Sequence, residues 1–208
     1  MDGKFTSVNN KEQMPFRHYR ERFCALDPQE AAQHCGVPFD GGAFRVRLLG
    51  TEYSLAWPEY EISSERENAP ACGSLLMQTF LLRWLCDGKR AIPSERMLTF
   101  RELPWGEVYV GPFTGRCLKR AAFAFGTRLD AFRKASEALG GEKCTHGDAS
   151  YRFTLLDGYC MELIVWEGDD EFQPSSQLLF SDNFAEGFSA EDRVVASDIL
   201  ISTLKQHL

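Results

Sequence analysis

The stretch VWEGDDEF, Val165 to Phe172, carries Glu167, Asp169, Asp170 and Glu171 with no basic residue among them. Carboxylates that close repel one another, so water, a cation, a partner's basic surface or a helix N-terminus must make the run tolerable. A second stretch, FRELPWG from Phe100 to Gly106, sets Arg101 and Glu102 close to Trp105. Each places a Trp and a carboxylate by a Gly at the end of an extended piece, where loops carry function on a rigid scaffold. Three kinds of chemistry suit these residues. Trp105 and Trp166 could wall a pocket between the two segments in which Arg101, Glu102, Glu167 and Asp169 orient a small molecule or cofactor. The acidic loops could steer a protein partner with a basic surface. Glu102 and Glu167 could act as acid and base if they converge in one cleft with displaced pKa values. The bland alternative is a solvated loop with a Trp plugging the rim of a sheet.

Other reactive residues point to less. Cys72 and Ser74 precede an apolar run, where a helix N-terminus could stabilise a thiolate, but a buried structural cysteine is the plainer reading. His34-Cys35 and Cys144-x-His146 are the paired soft ligands, and they would make a tetrahedral set only if they met in space. The spacing lacks C-x-x-C, so no metal is assigned. The acidic run lacks the D-x-D-x-D-G pattern of a calcium loop. No phosphate loop, dinucleotide fingerprint, nucleophile elbow or zincin helix is present. These residues name no cofactor, reaction or oligomeric state.

Bulk properties bound the remainder. The chain of 208 residues can bury a sizeable core, and its sixteen Phe supply one. A formal net charge of -7 counts against general nucleic-acid binding and against docking on an anionic membrane. No stretch has the uncharged apolar length of a membrane span, and the first residues have no apolar core of a secretory signal. Seven cysteines, an odd and scattered set, read as free thiols in a reducing cytoplasm.

The elements that must position these residues follow from periodicity. Residues 1–10 read as a loose tail, and 11–208 as a single domain. Phe16, Tyr19 and Phe23 fall at helical spacing, and DPQEAAQHCG marks a short helix with Asp27 as cap, Pro28 in its first turn and Gly36 at its end. FRVRLLGTEYSLAW reads as a hairpin centred on Gly50-Thr51 in a type II′ turn, with Phe44, Val46 and Leu48 on one face. EISSERENAP reads as a polar loop, and ACGSLLMQTFLLRWLCDG as a buried helix. MLTFRELPWGEVYVGPF, broken by Pro104, Gly106, Gly111 and Pro112, reads as short extended pieces. Helices follow over Arg116 to Phe125 and Arg128 to Leu139, the second capped by Thr127 with Asp130. Asp157-Gly158 joins ASYRFTLL to YCMELIVW in a second hairpin, a strand is expected at Gln177 to Phe180, and a helix starts at Ser189. The sum is an α+β domain: an antiparallel sheet built from two hairpins with helices packed on it.

FRELPWGEVYVGPF, EALGGEKCTHGDAS, IVWEGDDEFQPSSQLLF and SAEDRVV resemble the family known as domain of unknown function 3786, from about Tyr19 to the C-terminus. The resemblance implies a life in anaerobic bacteria or archaea. Fusions of some members to a small iron–sulfur domain imply redox or corrinoid-linked metabolism, with an iron–sulfur or corrinoid enzyme as the expected partner. This chain has no such Cys-rich extension, and Ser181 stands where the family pattern L-F-D has Asp. The resemblance adds weight to Arg101, Glu102, Trp166, Glu167 and Asp169 as site residues. The leading expectation is therefore a domain that binds a small molecule or cofactor between FRELPWG and VWEGDDEF, with a partner-docking domain as the alternative and a carboxylate enzyme third.

Overall fold

The computed structural model describes residues 10–90 and 92–208. The expected tail lies outside them, except for Asn10, which begins the first helix. That helix, α1 (Asn10–Ala25), is followed by α2 (Pro28–Cys35). Asp27 accepts from Gln29 and Glu30 N–H at 2.9 Å, and Gly36 ends α2 in the left-handed conformation that a glycine adopts without penalty.

Four strands come next: β1 (Phe39–Asp40), β2 (Ala43–Leu48), β3 (Thr51–Ala56) and β4 (Glu61–Ser63), paired antiparallel in that order. The β2–β3 turn is centred one residue earlier than expected. Leu48 pairs with Thr51, leaving Leu49 and Gly50 as the two-residue loop, at φ of 46° and 75°. Two left-handed residues make a type I′ turn, whose twist matches the strands. A tertiary bond from Leu49 N–H to the Leu155 carbonyl at 2.9 Å holds Leu49 buried there. The polar stretch after β3, expected as a loop, also forms the short edge strand β4.

The buried helix is α3 (Leu75–Asp87), capped by Ser74. Beyond it, β5 (Met97–Thr99) leads into a turn and then α4 (Gly106–Phe113), a π turn (Thr114–Leu118) and α5 (Lys119–Phe125). The junction residues Phe113, Thr114, Leu118 and Lys119 are all right-handed helical, so residues 106–125 form one continuous helix where extended pieces were expected over its first part. Burial of Phe113 against Phe100 and Phe180 outweighs the local breakers Gly111 and Pro112.

The remaining helices are α6 (Leu129–Ala138), α7 (Phe184–Gly187) and α8 (Ala190–Lys205). Arg128, not Thr127, is the N-cap of α6, and no side chain caps it. α8 starts at the expected Ser189, which forms a capping box with Asp192. The other strands are β6 (Glu142–Lys143), β7 (Ala149–Leu156), β8 (Tyr159–Trp166) and β9 (Ser175–Ser181), which form a five-stranded antiparallel sheet in the order β5-β9-β8-β7-β6.

The class is α+β, with each hairpin in its own sheet. Phe113 and Phe132 lie against Phe180 and Tyr151, so α4 and α6 cover the sheet face of Tyr151, Met161, Leu163 and Phe180. Period two puts Arg152, Glu162, Ile164 and Trp166 on the opposite face. One continuous apolar core joins both sheets and the helices.

Candidate functional site

FRELPWG is the turn between β5 and α4. Glu102 accepts the Thr99 N–H at 2.7 Å and the Thr99 hydroxyl at 2.8 Å. Those bonds, the backbone one first, hold its carboxyl below the usual range. Glu102 thus closes its own turn. Arg101 points along α4 to Glu107, 3.7 Å away. Beneath the turn lies a side chain from α8: Arg193 donates to the Pro104 carbonyl and stacks 5.4 Å from the Phe100 ring centre. It is buried, its Nε and Nη1 are unpartnered, and desolvation lowers its pKa to about 10. Trp105 closes the turn at φ 62°, a left-handed backbone that is rare for a bulky residue. Gly106 follows because a Cβ there would strike the Phe100 backbone.

VWEGDDEF is the exit from β8. Trp166 is half-exposed on the face away from α4 and α6, so it does not close the core as a rim plug would. Asp169 accepts the Glu171 N–H at 2.8 Å and the Phe172 N–H at 2.6 Å. Its carboxyl is held low by these bonds, the Phe172 one first. Asp170 and Glu171 face water, where screening tolerates them. Gly168 is needed because Pro174 packs where a Cβ would stand, at 2.5 Å from its Cδ. Glu167 accepts no hydrogen bond among the described residues. It lines an open depression of about 440 Å³ at the start of α6, shared with Arg128, Asp130 and Arg133.

A neighbouring loop completes this end. Asp148 accepts the Glu167 N–H at 2.8 Å, and Arg133 donates to the Asp148 carbonyl at 3.0 Å. His146 Nδ1 lies 2.7 Å from Glu162 Oε1, and Glu162 is only 1% exposed although it sits within an apolar strand. Sequence reasoning missed Glu162 and Arg193. Glu162 had a signal, the single charge inside the apolar run MELIVW, whereas Arg193 stands beside Glu191 and Asp192 and had none. Cys35 instead packs on α3, 3.2 Å from the Trp84 carbonyl. His146 is engaged by Glu162, and no group of three or more metal-ligating side chains occurs among the described residues.

The two segments are linked by a helix. Trp105 stands at the start of residues 106–125, and Gly126, just past their end, accepts the Gly168 N–H at 3.3 Å. Twenty residues at 1.5 Å per residue make a helical path of about 30 Å. No hydrogen bond or ion pair joins FRELPWG to VWEGDDEF among the described residues. The helix buries Phe113, Cys117, Ala121 and Phe125 and turns its other side outward. That outer side is apolar in places: Trp105 is 74% exposed, Val108 70% and Phe123 61%, and Phe172 of the acidic turn is 69% exposed.

The fold and this surface define an α+β domain whose two marked turns bracket a solvent-facing helix. The chain belongs to the family Domain of unknown function (DUF3786), whose model matches residues 27–203. No curated protein and no solved structure matches it. No helix among the described residues is long and apolar enough to cross a membrane.

Proposed function

We propose that the protein is a docking domain and that the outer face of residues 106–125, with the VWEGDDEF turn, receives a partner protein. The observation that carries this reading is Trp105. A left-handed backbone costs a non-glycine residue about 1–2 kcal/mol, and Trp105 leaves its ring in water. Strain and exposure together in a large aromatic side chain indicate a role outside the fold. Val108 and Phe123 are further exposed apolar side chains on this helix, with exposed Arg116 and Lys119 between them. Glu167, Asp170 and Glu171 add negative charge near its far end, on a chain of net charge -7. The complementary surface is an apolar patch rimmed by Lys and Arg. An iron–sulfur or corrinoid enzyme of anaerobic metabolism is the partner that the family resemblance suggests, and the seven unpaired thiols support a reducing cytoplasm.

Small-molecule or cofactor binding is the second reading, favoured by the depression that Glu167 shares with Arg128 and Arg133. Catalysis by Glu102 with Glu167 is supported by neither geometry nor electrostatics: a helix separates them, and Glu102 is stabilised as its anion.

The test uses tagged full-length chain in oxygen-free extract of cells that make it. Co-purified protein should fall at least tenfold with Trp105→Gly or Phe123→Ser and persist with a control substitution at exposed Glu61. Equal recovery with all variants would overturn the reading.

A further inference from the structure

Glu162, in the middle of β8, is the only acidic side chain fully buried among the described residues. Burying a carboxylate costs free energy that an apolar residue in the same strand would not. Arg152 stands opposite it on β7 but turns to Glu95, at 2.9 Å. Among the described residues the one hydrogen bond to Glu162 comes from His146, whose Nδ1 lies 2.7 Å from Oε1. His146 itself is mostly in water, its side chain 60% exposed, so the fold gains little by holding it.

The chain holds it nonetheless. His146 N–H donates to the buried Ser150 hydroxyl at 3.0 Å, and Asp148 N–H donates to the Val165 carbonyl at 3.1 Å. Between them Gly147, at φ 58°, lies so close to β8 that a Cβ would stand 2.7 Å from Ile164 Cγ2. The imidazole is therefore fixed at one edge and open at the other. A carboxylate accepts, so the ring carries its proton on Nδ1 and presents the Nε2 lone pair. An acid that fixes one ring nitrogen leaves the other to act as metal ligand, base or nucleophile. No group of three ligating side chains gathers here among the described residues. His146 also lines none of the five depressions of those residues, so an open surface is where it acts.

We infer that His146 is a phosphoryl acceptor, served at Nε2 by a phosphohistidine of another protein. Imidazole nitrogen holds a phosphoryl group as a P–N bond, and a protein-borne donor needs no cavity. The Nε2 lone pair forms the new P–N bond as the donor's P–N bond breaks. The donor imidazole leaves neutral, keeping the proton on its second nitrogen. His146 keeps its Nδ1 proton and takes on the positive charge, 2.7 Å from the Glu162 carboxylate. Glu162 is thus a positioning residue, and its burial strengthens its hold on that charge. The inference does not rest on the docking reading.

Phosphoramidate, a small donor with a P–N bond, tests it on the intact chain at neutral pH. Tandem mass spectrometry locates the label and phosphorus NMR gives the ring position. His146 should be phosphorylated at least tenfold faster than His18, His34 and His207, and at Nε2. Glu162→Gln keeps size and an acceptor but removes the charge; it should slow His146 at least fivefold and leave the other histidines unchanged. Should that variant misfold, the ring position on the unaltered chain still decides. Chain isolated in alkali from cells that make it should carry acid-labile phosphate on His146. Equal rates at the four histidines, an Nδ1 product on His146, undiminished labelling of folded Glu162→Gln, or no phosphate on His146 from those cells would each overturn the inference.

Discussion

At the residue scale, some side chains hold the fold and others are left to a partner. Trp105 is the clearest of the second kind. Replacing it with Gly removes the left-handed strain, so Trp105→Gly should leave Tm unchanged or raise it by a few degrees, about 1 kcal/mol. A fall of Tm on thermal melting would return Trp105 to the structural residues. Arg193 is of the first kind, yet its two unpartnered donors make it a costly way to fill space. Arg193→Met, which fits the apolar surroundings, should change global stability little while freeing the FRELPWG turn. Hydrogen exchange at Gly106 and Tyr109 should then quicken, and unchanged exchange would contradict its anchoring role. Glu162→Ala leaves His146 without its acceptor and opens the strand, which should cost about 1–3 kcal/mol in denaturant melts. Glu102 and Asp169 have folded pKa values held below their unfolded ones. What they contribute is complete above the unfolded carboxylate range and lost as pH falls through the depressed folded values. Amide shifts of Thr99 and Phe172 should therefore titrate together with these carboxyls, below the pH at which free Asp and Glu titrate.

At the scale of elements, helix ends and hairpins were legible because local chemistry decides them. Asp27, Gly36 and the pair Ser189 and Asp192 act as their types predict. α4 was not legible. Gly106, Gly111 and Pro112 read as breakers, and only the packing of Phe113 on Phe100 and Phe180 outweighs them. That missing helix is also why the two turns looked like walls of one pocket: extended pieces could fold back on each other, whereas a helix holds them apart. Asp169 accepts the N–H groups of its own turn, and Glu167 and Arg101, expected around one pocket, do not meet, because their separation is a tertiary fact. The helix makes a checkable demand. Gly115 has open space where a Cβ would stand and no proline after it, so Gly115→Ala should stabilise by about 0.5–1 kcal/mol. Gly168→Ala should destabilise by about 1–3 kcal/mol through overpacking against Pro174. The reverse order in chemical melts would mean that the helix does not run on through residues 114–118.

At the scale of the whole molecule, burial sorts the thiols. Desolvation pushes Cys35 up to about 12 and Cys86 and Cys117 up to about 11, whereas Cys72 is exposed. Native protein should therefore alkylate at Cys72 first, with Cys35 and Cys117 protected until denaturation. The outside of the molecule carries the larger claim, that a basic, partly apolar partner covers residues 106–125. Its most direct measurement is a photo-crosslinking side chain at position 108, irradiated in cells that make the protein, with the product identified by mass spectrometry. The account predicts one crosslinked protein, joined through a surface rimmed by Lys and Arg and lost with Trp105→Gly. A crosslink only to a second copy of this chain, no specific product, or one that survives Trp105→Gly would contradict it.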